Sequence, residues 1–158
     1  MKDPIADKRA KQMLDLINNA YREKYYNRSG PPIGIERLAV LVSEAVHWQI
    51  TIKAGEKGLF ITRDQIIIRE NTDYLTQRFY VGHCFGHIFH TLRSDMSNRM
   101  EDLAGAEKSQ EEDICDRIAF QLLYPKYART AEKNPVVLAK KFHLPVDSFF
   151  KYLGTALI

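Results

Sequence analysis

The sequence predicts an α+β fold, with helices at the N-terminus, a small three-stranded antiparallel sheet in the first half, and helices again to the C-terminus. Three observations predict it. Apolar residues recur at three- and four-residue spacing over most of the chain. Alternation and β-branched runs are confined to residues 48–69. A length of 158 residues with 45% hydrophobic composition is enough for one core and too short for two comfortable domains, so the whole of 1–158 reads as one.

From Asp7 to Tyr26, Met13, Leu14, Ile17, Ala20, Tyr21 and Tyr25 fall at helical spacing, and 27–32 break the pattern. A second helix is expected over 33–47, opening after Pro31-Pro32, with Ile35, Leu38, Ala39, Val42 and Ala45 on one side. The strands are expected at 49–53, 58–62 and 65–69, separated by Gly55 and by Arg63-Asp64. Asn71, Thr72 and Asp73 are all good N-caps for a helix over 73–92, whose buried stripe would hold Leu75, Phe79, His83, Phe85, Gly86 and Ile88. The polar residues 93–110 read as a surface loop. A helix over 111–123 carries Ile114, Cys115, Ile118, Ala119, Leu122 and Leu123, and stops at Tyr124-Pro125 because proline disfavours helix in the residue before it. Short helices over 135–142 and 147–157 follow, and no repeat, low-complexity tract or linker interrupts the chain.

Composition narrows the function classes. Twenty-three basic and 20 acidic residues leave a formal charge of +3, spread along the chain, too weak a surplus to indicate a surface that tracks phosphates. No run approaches the ~20 apolar residues of a membrane-spanning helix. The first nine residues are charged and lack the apolar core of a signal peptide, and only two cysteines occur, Cys84 and Cys115. A soluble protein of the reducing cytoplasm is expected, with both thiols free.

The chemistry concentrates in the 73–92 helix. His83 and His87 are four apart, so they lie about 40° apart around the axis and about 6 Å along it. Two imidazoles so placed can converge on one metal ion, or be ordinary helix residues. A catalytic zinc site needs a third protein ligand and an open position for water, and the acidic start of the 111–123 helix, Glu111-Glu112-Asp113, can supply the ligand. Spacing does not choose among those three. His90 returns to the His83 face but about 10.5 Å along the axis, too far to share an ion with it, and so supports the site from behind or packs. Asp116 is placed to accept from the ring N–H of a ligating histidine, or to form a surface salt bridge. Tyr80, one turn before His83, reads as packing.

Residues 77–90, Gln77-Arg78-Phe79-Tyr80-Val81-Gly82-His83-Cys84-Phe85-Gly86-His87-Ile88-Phe89-His90, resemble the ImmA/IrrE segment Q-R-F-T-x-A-H-E-x-G-H-x-x-x-H. A second stretch, Glu112-x-x-Cys115-Asp116-x-Ile118-Ala119-x-x-Leu122-Leu123-x-Pro125, is similar to that family's E-x-x-A/C-N/D-x-F-A-x-x-L-L-x-P. The segment from Pro32 to Ala39, the small sheet and Leu138-Ala139-x-x-Phe142 also come in family order, so the likeness covers about 33–157. It implies a zincin-like metallopeptidase domain in which His83, His87 and Glu112 hold zinc. It further implies a regulatory role beside helix-turn-helix repressors of mobile elements or stress responses, with the repressor as protein substrate.

One departure outweighs the rest. The family's general base, a glutamate after the first histidine, is replaced by Cys84. A thiol on a shorter side chain, with an ordinary pKa near 8.5, takes a proton from zinc-bound water poorly. Cys84 is then a small buried hydrophobe in a disarmed enzyme, a thiolate acting as weak base, nucleophile or redox brake, or a position whose role Glu111 or Asp113 has assumed; replacement by engineering is a further reading. The function expected is that of a degenerate zinc metallopeptidase-like protein that binds or acts on a protein partner. One alternative is an active zinc endopeptidase with a non-standard base. Another is DNA binding through a helix-turn-helix over 136–153, where Lys140, Lys141, His143 and Lys151 would face phosphates. Against DNA stand the low charge and Phe149, Phe150 and Tyr152, which are expected in a core.

Overall fold

The computed structural model describes residues 4–56, 60–61, 64–91 and 105–154. Helix α1 (Pro4–Tyr21) buries Ala6, Ala10, Leu14, Ile17 and Tyr21, a stripe at four- and three-residue steps. The chain stays helical through a π-helical turn (Arg22–Tyr26) and a last turn (Asn27–Ser29), three residues past the expected break. The stop is Gly30, whose φ of +61° suits a residue without Cβ. Helix α2 (Ile35–Val46) starts two residues later than expected and buries Ile35, Leu38, Ala39, Leu41 and Val42.

Three strands follow, β1 (Thr51–Gly55), β2 (Phe60–Ile61) and β3 (Gln65–Arg69), in the order β1-β3-β2. The expected all-antiparallel sheet is instead mixed. Strand β2 pairs antiparallel with its neighbour β3, Phe60 opposite Ile67, whereas β1 lies parallel to β3, with Thr51 opposite Gln65 and Gly55 opposite Arg69. Alternation specifies which face a residue takes, not which strand it lies beside. Because β2 occupies one edge of β3, β1 takes the other, running in the same direction. Ile66 and Ile68 of β3 enter the core, while no residue of the β1 edge strand is fully buried.

Helix α3 (Tyr74–Thr91) is the central element. Asp73 caps it, its carboxylate accepting from Thr76 N–H at 3.2 Å. From Val81 to Thr91 every residue is buried, as expected of a helix enclosed on all sides. The buried Arg78 guanidinium ties α3 to its surroundings, donating to the carbonyls of Ile33 at 2.7 Å and His143 at 2.9 Å. Helix α4 (Gly105–Leu123) packs along α3 more extensively than any other pair of elements. Of the expected loop over 93–110, residues 93–104 lie outside the described residues, and 105–110 are helical. Their polarity read as loop, yet Glu107, Lys108 and Gln110 are good helix formers.

Helix α5 (Pro135–Phe142) is capped by the Asn134 side chain, which accepts from Val136 N–H at 3.0 Å. Helix α6 (Val146–Tyr152) ends five residues short of the expected 157, and 155–158 lie outside the described residues. Phe149 and Tyr152 are buried as expected, but Phe150 is 70% exposed. One apolar cluster runs from Ala10 to Tyr152 and includes residues of α1–α6 and of the sheet. Among the described residues, no helix is long and apolar enough to cross a membrane.

Candidate metal centre

The close approach of α3 and α4 builds the site. A Cβ on Gly86 would lie 2.8 Å from the Cα of Cys115, and one on Gly82 would lie 3.0 Å from the Cβ of Ala119. Glycines at i and i+4 thus let the backbone of α4 sit against α3, next to His83 and His87 at the adjoining i and i+4 positions. On α4, Glu112 and Asp116 are spaced the same way and face them.

Three donors converge. The Nε2 atoms of His83 and His87 are 3.0 Å apart; Glu112 places one carboxylate oxygen 2.8 Å from His83 Nε2 and the other 3.2 Å from His87 Nε2. His83, His87 and Glu112 therefore form a group that could hold a metal ion. The fit can be tested on spacing. Ligand distances of about 2.0–2.1 Å in a tetrahedral zinc site put donor atoms about 3.3 Å apart, so this triad would open by only a few tenths of an ångström. Two ring nitrogens facing each other at 3.0 Å need a proton or a cation between them, and the set of two imidazoles and one carboxylate suits zinc. The Glu112 side chain is 38% exposed, which leaves one side of the triad accessible.

The rings are oriented from behind. Asp116 Oδ1 lies 2.7 Å from His83 Nδ1. A carboxylate accepts, so Nδ1 carries a proton and Nε2 is the nitrogen left to bind a metal once its own proton is displaced. Glu111, 2% exposed, stands 3.8 Å from His87 Nδ1 and 3.0 Å from His90 Nδ1. His90 Nε2 is 3.2 Å from Asp7 on α1, and Arg9 of the same helix donates to the His90 carbonyl. The N-terminal helix is thereby tied to the back of the centre.

Charge follows this geometry. Burial disfavours a charged His83 ring, but Asp116 and Glu112 outweigh it and raise its pKa to about 9. His87 is also raised, its burial outweighed by Glu111 and Glu112. The two rings hold Glu112 well below the ordinary carboxylate range.

Cys84 is fully buried, and burial pushes its thiol up to about 12, only partly offset by Tyr80. The Tyr80 ring stacks on His83 at 5.8 Å, and burial likewise raises its phenol. Full burial of Cys84 suits a small packed side chain, whereas a thiolate here would need the metal beside it for stabilisation. Both Cys84 and Cys115 are free. Neither carboxylate considered as a substitute base is placed for that role. Glu111 faces the Nδ1 side of His87 and His90, away from the converging Nε2 atoms, and Asp113 pairs with Arg117 at 2.9 Å.

His83 and His87, paired by their spacing, and Glu112, the ligand that the resemblance implies, come together in the structure, and Asp116 meets the ring N–H of His83 rather than a basic surface side chain. His90 sits behind the centre and reaches it through Glu111. The contributions of Glu111 and Asp7 were missed. The only available signal was a carboxylate beside the ligand Glu112, since Asp7 is 83 residues from His90. Lys140, Lys141 and Lys151 are exposed, but α6, which would have to read DNA, has only seven residues. No protein-family model, curated protein or solved structure matches this chain.

Proposed function

We propose that this chain is a degenerate zinc metallopeptidase-like protein of the ImmA/IrrE type, regulatory in role. It holds zinc with His83, His87 and Glu112 and grips a protein partner, such as a helix-turn-helix repressor, beside that centre. The observation that carries this reading is the convergence of two imidazole nitrogens 3.0 Å apart with the two oxygens of one carboxylate, 2.8 and 3.2 Å from them, and a second carboxylate fixing the tautomer of His83. Zinc at this position would polarise a carbonyl and acidify a water on the exposed side. His83 and His87 would supply neutral lone pairs and Glu112 negative charge, with Asp116 holding the His83 ring.

What the site lacks is a base. Cys84 occupies the position that resembles the family's catalytic glutamate, and its thiol is fully buried, with burial disfavouring the thiolate. The two neighbouring carboxylates are engaged elsewhere. The endopeptidase reading with a non-standard base would then rest on the Cys84 thiol itself. Two buried, free thiols suit a cytoplasmic workplace.

The test is a gain of function. Zinc-loaded wild type and Cys84→Glu are incubated with a fluorogenic casein substrate and with candidate repressors, and cleavage is followed by fluorescence and mass spectrometry. The reading predicts no turnover by wild type and measurable, chelator-sensitive cleavage by Cys84→Glu. Wild type cleaving as fast as the variant would show that the site is not disarmed.

A further inference from the structure

A second cleft lies where α1 meets the end of α4 and the turn after it. Gln121, one of its walls, is nine residues beyond Glu112 on α4, about 13 Å along the helix. Its volume of about 480 Å³ falls in the range of small-molecule sites, about 300–1,000 Å³. Its charge is one-sided. Lys11, Arg22, Lys126 and Arg129 line it against a single carboxylate, Asp15, so four cations and one anion leave +3 in a chain whose total is also +3. Asp15 is engaged with Lys11 at 3.0 Å. Arg129 is held in place, its Nη2 donating to the Tyr124 carbonyl at 3.3 Å and its guanidinium 4.7 Å from the Tyr124 ring.

Two residues that line this cleft carry a buried polar atom with no hydrogen-bond partner among the described residues: Tyr127, its hydroxyl, and Asn18, its side-chain oxygen. Buried polar groups are nearly always satisfied, so this pair calls for a ligand or ordered water. A hydroxyl beside guanidinium and ammonium groups is a donor set for an oxyanion with several acceptor oxygens. The amide oxygen requires the opposite, a donor on the same ligand.

We propose that this cleft binds a small organic phosphate whose body carries a hydroxyl or amine. Arg22, Lys126 and Arg129 surround the phosphate, Tyr127 donates to it, and Asn18 accepts from the organic part. Phosphate is favoured over a monocarboxylate because four cations line the cleft against one carboxylate, and a single negative charge would leave most of them unmatched.

Isothermal titration calorimetry at fixed ionic strength tests this with two probes, ribose 5-phosphate and inorganic phosphate, on the full chain. Binding of ribose 5-phosphate is expected, tighter than that of inorganic phosphate. Arg22 and Lys126 are exposed, so their replacement leaves the core intact, and Arg22→Ala and Lys126→Ala should each weaken binding about tenfold or more. Tyr127→Phe keeps the ring contact with Tyr26 at 4.9 Å and should weaken binding several-fold. Absent binding of either probe, or wild-type affinity in both cation variants at an unchanged melting temperature, would overturn the proposal. Equal affinity for the two probes would overturn the assignment of Asn18 to the organic part.

Discussion

Gly86→Ala tests the link between helix packing and the metal centre. The added methyl would lie 2.8 Å from the Cα, 3.0 Å from the Cβ and 3.1 Å from the carbonyl oxygen of Cys115. Ordinary contact begins at 3.4 Å, so α3 and α4 must separate locally by at least 0.6 Å, the difference between 3.4 and 2.8 Å. The obstacle is backbone, which cannot rotate away as a side chain can. Overpacking of this kind costs about 1–3 kcal/mol. The better helix propensity of alanine returns about 1 kcal/mol, for a net loss of about 0–2 kcal/mol. The metal site should suffer more, because two donors are on α3 and the third on α4, and a shift of 0.6 Å exceeds the roughly 0.5 Å within which such constellations function. Zinc affinity, measured by competition with a chromophoric chelator, should fall about tenfold or more, and urea denaturation of the metal-free protein should show a loss of no more than about 2 kcal/mol. Gly82→Ala, whose nearest contact is 3.0 Å, should be milder on both counts. Wild-type affinity in Gly86→Ala, or a larger loss in Gly82→Ala, would refute the reasoning.

Asp116→Ala removes the acceptor that sets the His83 tautomer, and zinc affinity should drop about 10–100-fold with the fold retained; the same chelator competition reads it. Arg78→Met deletes a buried guanidinium with two short bonds to carbonyls, at 2.7 and 2.9 Å. Bonds to charged groups contribute about 1.5–3 kcal/mol each, and relief of the buried charge offsets part, so a net loss of about 3 kcal/mol is expected on urea denaturation; a loss below about 1 kcal/mol would contradict it. For the metal-free protein, His83 has a pKa raised from 6.5 to about 9, so its ion pairs stabilise fully below pH 6.5 and are lost as pH rises through 9. Zinc competes with that proton, so its affinity should climb over the same interval. Melting temperatures from pH 6.5 to 9 should therefore fall without zinc and show a growing zinc-induced increment; parallel profiles would argue against the assignment.

Much of this organisation is legible in the sequence, and the parts that are not share a cause. Periodicity places α1–α6, and the Asp73 and Asn134 caps mark where α3 and α5 begin. The i, i+4 histidines are a local signal, but choosing Glu112 over Glu111 and Asp113 needed the family resemblance, since all three sit within one turn. Pairwise placement is what local patterns lack. The parallel run of β1 beside β3, the salt bridge of Asp7 to His90, and the anchoring of Arg78 to carbonyls 45 and 65 residues away depend on contacts that no window of a dozen residues contains. The start of α4 at Gly105 was hidden differently, because polar residues on an exposed helix and in a loop have the same composition.

The most direct measurement is the metal content of the purified chain by inductively coupled plasma mass spectrometry, alongside His83→Ala. The account predicts one zinc per chain in the wild type and loss of that zinc in the variant, with helical circular dichroism preserved in both. A wild type that remains free of zinc after incubation with the ion and gel filtration would contradict it, as would a His83→Ala variant that retains a full equivalent.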